Sequence, residues 1–349
     1  MSVSVSEPGS RVLVAMSGGV DSSVAAARLV EQGNDVTGVT LKLWGGESDS
    51  GCCSVADVED ARRVAAQLGI PHYVFNFTDE FDDAVVRRYV DEHRAGRTPN
   101  PCVECNRSIK FGRLLERADA LGFTHVATGH HARVTRSDRG TFELRRGADA
   151  AKDQSYVLYM LGQRELARIL FPVGELTKAD VRAHATHLGL RTAAKPESME
   201  VCFIARGGRE SFLTARVPAR AGAILDTDGA TVGRHGNITT FTVGQRRGLG
   251  VATGERRYVV DVDARTATVT IGAKRDLLRD AVDVRDLLFT DGVPSSGAVV
   301  VQTRAHGEPV AATLDGSTVR FTRSQPRVAP GQVVALYRGD VLVGGGIAT

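Results

Sequence analysis

No stretch of this 349-residue chain approaches the roughly 18 uninterrupted apolar residues that a membrane-crossing helix needs, and Met1 to Ser10 lack the basic start and apolar run of a secretory leader. The expectation is a cytoplasmic protein with no membrane partner. Cysteine is scarce and odd in number: Cys52, Cys53, Cys102, Cys105 and Cys202 suit thiol chemistry or metal binding in a reducing compartment better than a secreted disulfide framework. No Gly-x-x-x-x-Gly-Lys-Ser/Thr run occurs either, so no lysine is placed for a γ-phosphate as in kinases and ATPases. Internal repeats of roughly 20 to 50 residues are absent as well.

What the chain does have is Ser17-Gly18-Gly19-Val20-Asp21-Ser22 directly behind the apolar run Val12 to Met16. Residues 22 to 32 follow at helical spacing and Gly33 stops them, so the turn joins a buried strand to a helix. Adjacent glycines let backbone N–H groups approach an anion, the helix N-terminus adds partial positive charge, and Ser17 and Ser22 offer hydroxyls. Asp21 is placed to hold magnesium against phosphates. With no lysine for the γ-phosphate, this turn suits expulsion of pyrophosphate, with ATP cleaved between its α- and β-phosphates. The bland alternative is an ordinary glycine-rich connection.

From residue 11 to about 190 short apolar strands (12–16, 35–44, 72–77, 125–129) alternate with amphipathic helices (22–32, 55–68, 79–94, 109–121, 177–188), Thr177 serving as an N-cap. That rhythm specifies an α/β fold with a doubly wound parallel sheet, whose ligands bind beyond the carboxyl ends of the strands. The run Ala95 to Asn106, with its glycine and two prolines, is expected to be an exposed functional loop. Beyond the link Ala205 to Arg209 the period drops to two. Residues 257–263 and 266–271 flank Ala264-Arg265 as a hairpin, and strand-like runs at 297–303, 309–314, 317–322, 332–337 and 340–344 predict a small C-terminal β-barrel. The domains expected are a catalytic one at 1–204, a small β-rich one at 205–279 and the barrel at 280–349. Net charge is only +3, yet residues 205–279 hold 13 Lys/Arg against 7 Asp/Glu. The excess fits either a nucleic-acid surface or a solvated basic face.

Several runs together resemble the bacterial tRNA-specific 2-thiouridylases, within the ATP-pyrophosphatase superfamily and its adenine nucleotide α-hydrolase-like fold. They are the Ser17–Ser22 turn, Gly96 to Pro101 ending in Cys105-Asn106, Thr128-Gly129-His130, Lys152 to Tyr156, Phe171 to Gly174, Val201-Cys202-Phe203-Ile204 and Val243 to Gly250. The turn alone would also admit NAD and GMP synthetases. The resemblance implies replacement of the 2-oxygen of a wobble uridine by sulfur, with ATP, Mg2+, tRNA and a persulfide from a sulfur carrier or cysteine desulfurase. It implies Cys202 as persulfide carrier, Cys105 as partner nucleophile and a Cys105–Cys202 disulfide after turnover.

The same resemblance puts the nucleotide at Ala15, Met16, Ser17, Gly18, Gly19, Val20, Asp21, Ser22, Leu41 and Gly129, with Asp21 the metal ligand. It puts tRNA at Asn100, Pro101, Cys102, His130, Lys152, Asp153, Gln154, Arg246, Arg247, Arg323 and Arg338. Each has a plainer reading: core packing for Leu41, a structural role for His130, a polar turn at 152–154, and ordinary surface arginines. Cys202, among apolar neighbours, reads without the resemblance as a buried structural cysteine. Thiolate character at Cys105 is favoured by neighbouring Arg107 and Lys110 and by a helix start near Ile109. Some relatives carry Asp where Cys102 stands, so an acid/base role does not carry over to it. Cys102-Val103-Glu104-Cys105 could be half a zinc site, and Cys102, Cys105 and Cys202 an iron–sulfur set, although Cys52-Cys53 are vicinal and poorly disposed to chelate. Rival functions are an ATP-pyrophosphatase ligase admitting ammonia and a non-catalytic tRNA-binding scaffold.

Overall fold

The computed structural model describes residues 7–44, 54–196, 201–204, 208–252, 254–305 and 307–349; Cys52, Cys53 and the link residues 205–207 lie outside them. Five parallel strands form the first sheet: β1 Arg11–Ala15, β2 Asp35–Lys42, β3 His72–Asn76, β4 His125–Thr128 and, after two strands that leave this sheet, β7 Ile169–Leu170. Their order is β3-β2-β1-β4-β7, so the chain reverses its direction of winding between β1 and β4. That switch point opens a crevice at the strand carboxyl ends. Both faces of β1 are covered: Leu13 packs with Val39, Phe81 and Val126, while Val12 and Val14 pack with Val24, Leu29 and Val181. Burial on both faces is why β1 reads as an unbroken apolar run.

Helix α1, Val20–Glu31, follows the turn, and α2, Val55–Gln67, starts at Ser54, whose side chain accepts the Asp57 amide. The helix Lys178–His187 begins in a reciprocal cap between Thr177 and Asp180, as expected from Thr177. One boundary differs. The chain through Asn106 is not all loop: a helix starts at Pro101, with the Asn100 side chain accepting the Cys102 amide at 3.0 Å, and runs on through Cys105–Arg113 in widened π geometry to Leu114–Ala120. Proline lacks an N–H, but at the first helical position none is needed. Cys105 thus sits in the second turn of this helix, not ahead of a helix beginning near Ile109.

The middle segment is a four-stranded sheet of β8 Gly222–Leu225, β9 Thr231–His235, β10 Tyr258–Asp263 and β11 Thr268–Gly272, ordered β10-β11-β8-β9. Asp263 pairs with Thr268, so the hairpin connection is four residues, with Ala267 at φ +55°, and not the two expected. The C-terminal strands are β12 Leu278–Phe289, β13 Gly297–Gln302, β14 Val310–Asp315, β15 Thr318–Pro326, β16 Val333–Arg338 and β17 Val341–Ala348. They run β12-β15-β14-β13-β16-β17 and close by a β12–β17 pairing, a six-stranded antiparallel barrel. The hairpin β5 Ala132–Arg136 and β6 Phe142–Arg146 extends that barrel's sheet through Val341 opposite Arg145 and Leu342 opposite Leu144. Tyr156, Tyr159 and Tyr337 fill the shared core beneath it. The barrel is therefore stitched into the segment between β4 and β7.

Candidate active site

The crevice is a cavity of about 360 Å³, and most of the sequence-predicted residues meet there. Ala15, Met16, Ser17, Gly19, Val20, Asp21, Ser22, Leu41 and Gly129 line one end. Pro101, Cys102, Cys105 and Cys202 line the other, with His130, Lys152 and Gln154 also on the wall.

At the first end the turn is held by its own short hydroxyls. Ser22 Oγ accepts the Ser17 amide at 3.2 Å and donates to Gly19 O at 3.1 Å, and Ser23 Oγ donates to the same carbonyl at 2.8 Å. No side chain caps α1, so its first amides keep their capacity for an anion. Two glycines are required sterically. Gly18 has φ +72° and its backbone lies against Asp57; a Cβ on Gly129 would stand 2.6 Å from the Ser22 nitrogen and 2.7 Å from the Asp21 carbonyl carbon. Thus the end of β4 touches the first turn of α1 because Gly129 has no side chain.

Asp21 is gripped by groups the sequence reading overlooked. Lys178 Nζ lies 2.8 and 2.7 Å from its two carboxylate oxygens, and His131 Nε2 lies 3.1 Å from Oδ1. Burial pushes this carboxyl upward, but the hydrogen bonds from His131 and Lys178 outweigh it and hold it below the ordinary aspartate value. A second lysine, Lys195, joins Gly18 O, Asp57 and Asp60. These partners are 110 to 177 positions apart in sequence, so no local pattern could reveal them.

At the second end Cys105 is buried, Cys202 half-buried and Cys102 exposed. Cys202 is not a core residue; its neighbour Phe203 is, packed at 5.2–6.2 Å between ring centroids against Phe212, Tyr89, Phe81 and Trp44. The turn is closed by the Ile204 amide on Val201 O at 2.9 Å. Phe203 is thus the anchor that leaves Cys202 at the cavity wall. Of the two cations expected beside Cys105, Lys110 shares the cavity, whereas Arg107 turns to Tyr159 Oη at 3.1 Å. The metal alternatives need several thiolates or comparable donors to converge. Among the described residues no three His, Cys, Asp or Glu side chains gather as a metal-binding group.

Other predicted contacts divide by exposure. Asp153 is buried, its carboxylate accepting from Arg146, the Gly147 and Ser155 amides and Ser155 Oγ, so it organises the 146–155 turn. Gln154 Oε1 accepts the His131 amide at 2.9 Å. His130 is buried against Phe111 and Phe171 and hydrogen-bonded to Thr128; burial and then the Lys110 charge push its pKa well down, so the ring is neutral. Asn100 caps the 101–120 helix without lining the cavity. Arg246, Arg247, Arg323 and Arg338 are exposed, and Arg338 is tied to Ser295 and Ser296. Arg323 borders a second cavity of about 560 Å³ between barrel and middle segment, beside Arg304, which sequence reasoning missed. Among the described residues no helix is long and apolar enough to cross a membrane.

Comparison with known proteins covers almost the whole chain. Residues 10–206 match the family described as tRNA methyl transferase HUP domain, 210–273 the tRNA methyl transferase PRC-barrel domain and 279–348 the aminomethyltransferase beta-barrel domain. A tRNA-specific 2-thiouridylase from a Roseiflexus species is 47% identical, the match covering 96% of this chain and 98% of that one. Those from Herpetosiphon aurantiacus and Chloroflexus aurantiacus are 46% and 47% identical, each match covering 96% of this chain and 97% of the relative. The domain names speak of methyl transfer and the relatives' names of thiolation.

Proposed function

We propose, on the premise that this chain belongs to the tRNA-specific 2-thiouridylase family, that the cavity at the switch point performs ATP-dependent exchange of oxygen for sulfur at C2 of a tRNA wobble uridine. The observation that carries the reading is the meeting of the anion-binding turn with Cys105 and Cys202 in one crevice. Methyl transfer has no use for a thiol pair beside a pyrophosphate turn, and neither has an ammonia-using ligase. Sulfur transfer needs both.

A uracil carbonyl has no leaving group, so its oxygen must first be activated. The turn and the α1 N-terminus bind and orient the phosphates of ATP so that O2 attacks the α-phosphorus and pyrophosphate leaves. Magnesium would be held by Asp21 together with ATP oxygens, since one anionic carboxylate plus substrate phosphates is an ordinary set for that ion, and it supplies neutralisation of phosphate charge. Lys178, 2.7 Å from Asp21, keeps the carboxylate ionised and adds a cation beside the expelled pyrophosphate. Cys202, loaded as a persulfide by a carrier or desulfurase, attacks C2 with its terminal sulfur and AMP departs. The Cys105 thiolate then attacks Cys202 Sγ. The sulfur–sulfur bond to the substrate breaks, sulfur stays on C2, and a Cys105–Cys202 disulfide remains for an external thiol to reduce.

Pro101, Cys102, Lys152 and Gln154 at the cavity mouth are assigned to the incoming base and its flanking nucleotides, and exposed Arg246, Arg247 and Arg323 to backbone phosphates. The test is nucleoside mass spectrometry of tRNA incubated with the protein, ATP and a persulfide donor. 2-Thiouridine and AMP are expected together; ADP as the nucleotide product, or AMP without thiouridine, contradicts the reading.

A further inference from the structure

Asp21 meets two donors of different kinds. Lys178 brings a full charge on a flexible stem, its ammonium spanning both carboxylate oxygens at 2.8 and 2.7 Å. His131 meets Oδ1 alone, through Nε2 at 3.1 Å, from a side chain that is only 3% exposed. A carboxylate oxygen accepts, so the imidazole hydrogen sits on Nε2. Nδ1 is then an acceptor, and it finds no hydrogen-bond partner among the described residues. A buried ring nitrogen without a partner is destabilising, and an apolar side chain of similar size would fill the place without that penalty. Packing therefore does not account for an imidazole here, whereas an N–H aimed at Asp21 does.

The main chain behind the ring is fixed on both sides. The His131 amide donates to Gln154 Oε1 at 2.9 Å, and the His131 carbonyl accepts the Gln154 amide at 2.9 Å. Gln154 belongs to the 146–155 turn, which buried Asp153 organises through Arg146 and the Gly147 and Ser155 amides. We infer that His131 is a positioning residue for Asp21, and Gln154 for His131, together holding the carboxylate in the orientation in which it meets magnesium on the phosphates of ATP. Lys178 supplies charge and His131 supplies direction. The inference rests on the reading of the Ser17–Ser22 turn as the nucleotide site and of Asp21 as its metal ligand.

The experiment measures ATP binding to the full chain by calorimetry, once in excess Mg2+ and once in EDTA, so that the share of affinity due to the metal is read without turnover. In His131→Leu the affinity in Mg2+ should fall at least about tenfold, the order expected when a group orienting a metal ligand is removed, while that in EDTA stays within about twofold. His131→Gln, whose amide N–H reaches about as far as Nε2, should recover most of the loss. Gln154→Leu should weaken binding in Mg2+ by about threefold, as loss of one hydrogen bond would, and carries the test if His131→Leu does not melt cooperatively. Unchanged affinity in Mg2+ for both leucine variants overturns the proposal. So does a parallel loss in Mg2+ and in EDTA, which would confine His131 to shaping the turn. An unsubstituted chain that binds ATP no more tightly in Mg2+ than in EDTA overturns the metal reading of Asp21 and this inference with it.

Discussion

The two ends of the cavity are built by different means. The nucleotide end is backbone: a strand end, two glycines and a helix N-terminus, fixed by strands whose residues Val12, Leu13 and Val14 are fully buried. The thiol end is side chains: Cys105 on a helix whose cap is Asn100, and Cys202 on a short turn positioned by Phe203. The first is preorganised by the sheet itself. The second depends on anchors supplied by distant segments, so damage there should spare nucleotide chemistry while stopping sulfur transfer.

The largest expected effect separates the ends outright. Cys105→Ser and Cys202→Ser should each reduce thiouridine below detection while the first round of pyrophosphate release persists, by product analysis of the same reaction. Loss of that pyrophosphate release in either variant would mean that the ends are not separable. Gly129→Ala makes the reverse cut. Its Cβ would intrude to 2.6 Å from the Ser22 nitrogen, forcing β4 away from the turn, and AMP formation should fall by about a hundredfold. Isotope exchange between pyrophosphate and ATP, with tRNA present, reads that step alone.

Much of this contrast could be read from the sequence, but unequally. Ser17 to Ser22, the flanking strand and helix and the Thr177 cap are local signals, because each depends on residues within one turn of each other. The start of the 101–120 helix is hidden in the sequence because proline usually ends helices, and only the Asn100 cap shows that it begins one here. The place of the β5–β6 hairpin beside the barrel is not legible locally, because its partner β17 lies some 196 positions away. β12 escaped for another reason: it pairs with β15 in one half and β17 in the other, with irregularities between, which blurs alternation. Lys178, Lys195 and His131 acquire their roles only through tertiary contacts. The role of Cys202 was legible, but through resemblance; the physical reason for its placement, Phe203, needed the structure.

Two smaller effects sharpen the comparison. Phe203→Ala should destabilise the fold by about 3–5 kcal/mol, the usual cost of emptying a buried aromatic site, and lower thiouridine per pyrophosphate released in the protein that remains folded. Urea unfolding and product ratios check both halves. Beside this anchor His93 is buried against Tyr89, and burial, with the Arg209 charge, pushes its pKa down to about 4. A histidine depressed in the folded state contributes stability that is full above the unfolded value near 6.5 and is lost as pH falls toward 4, because the unfolded chain takes up the proton first. Stability should therefore decline by up to about 3 kcal/mol over that window from His93, and His93→Gln should flatten the decline. A flat urea midpoint between pH 7 and 5 in the unsubstituted chain would contradict this.

The central claim is that both ends of one cavity act in a single turnover, and peptide mapping tests it most directly. One equivalent of Cys202 persulfide should be allowed to react with tRNA and ATP without reductant, and the thiols then blocked and the peptides mapped by mass spectrometry. The account predicts one Cys105–Cys202 disulfide for each 2-thiouridine formed, and none without ATP. Thiouridine appearing while Cys105 and Cys202 remain separately alkylated, or linked instead to other cysteines, would contradict it.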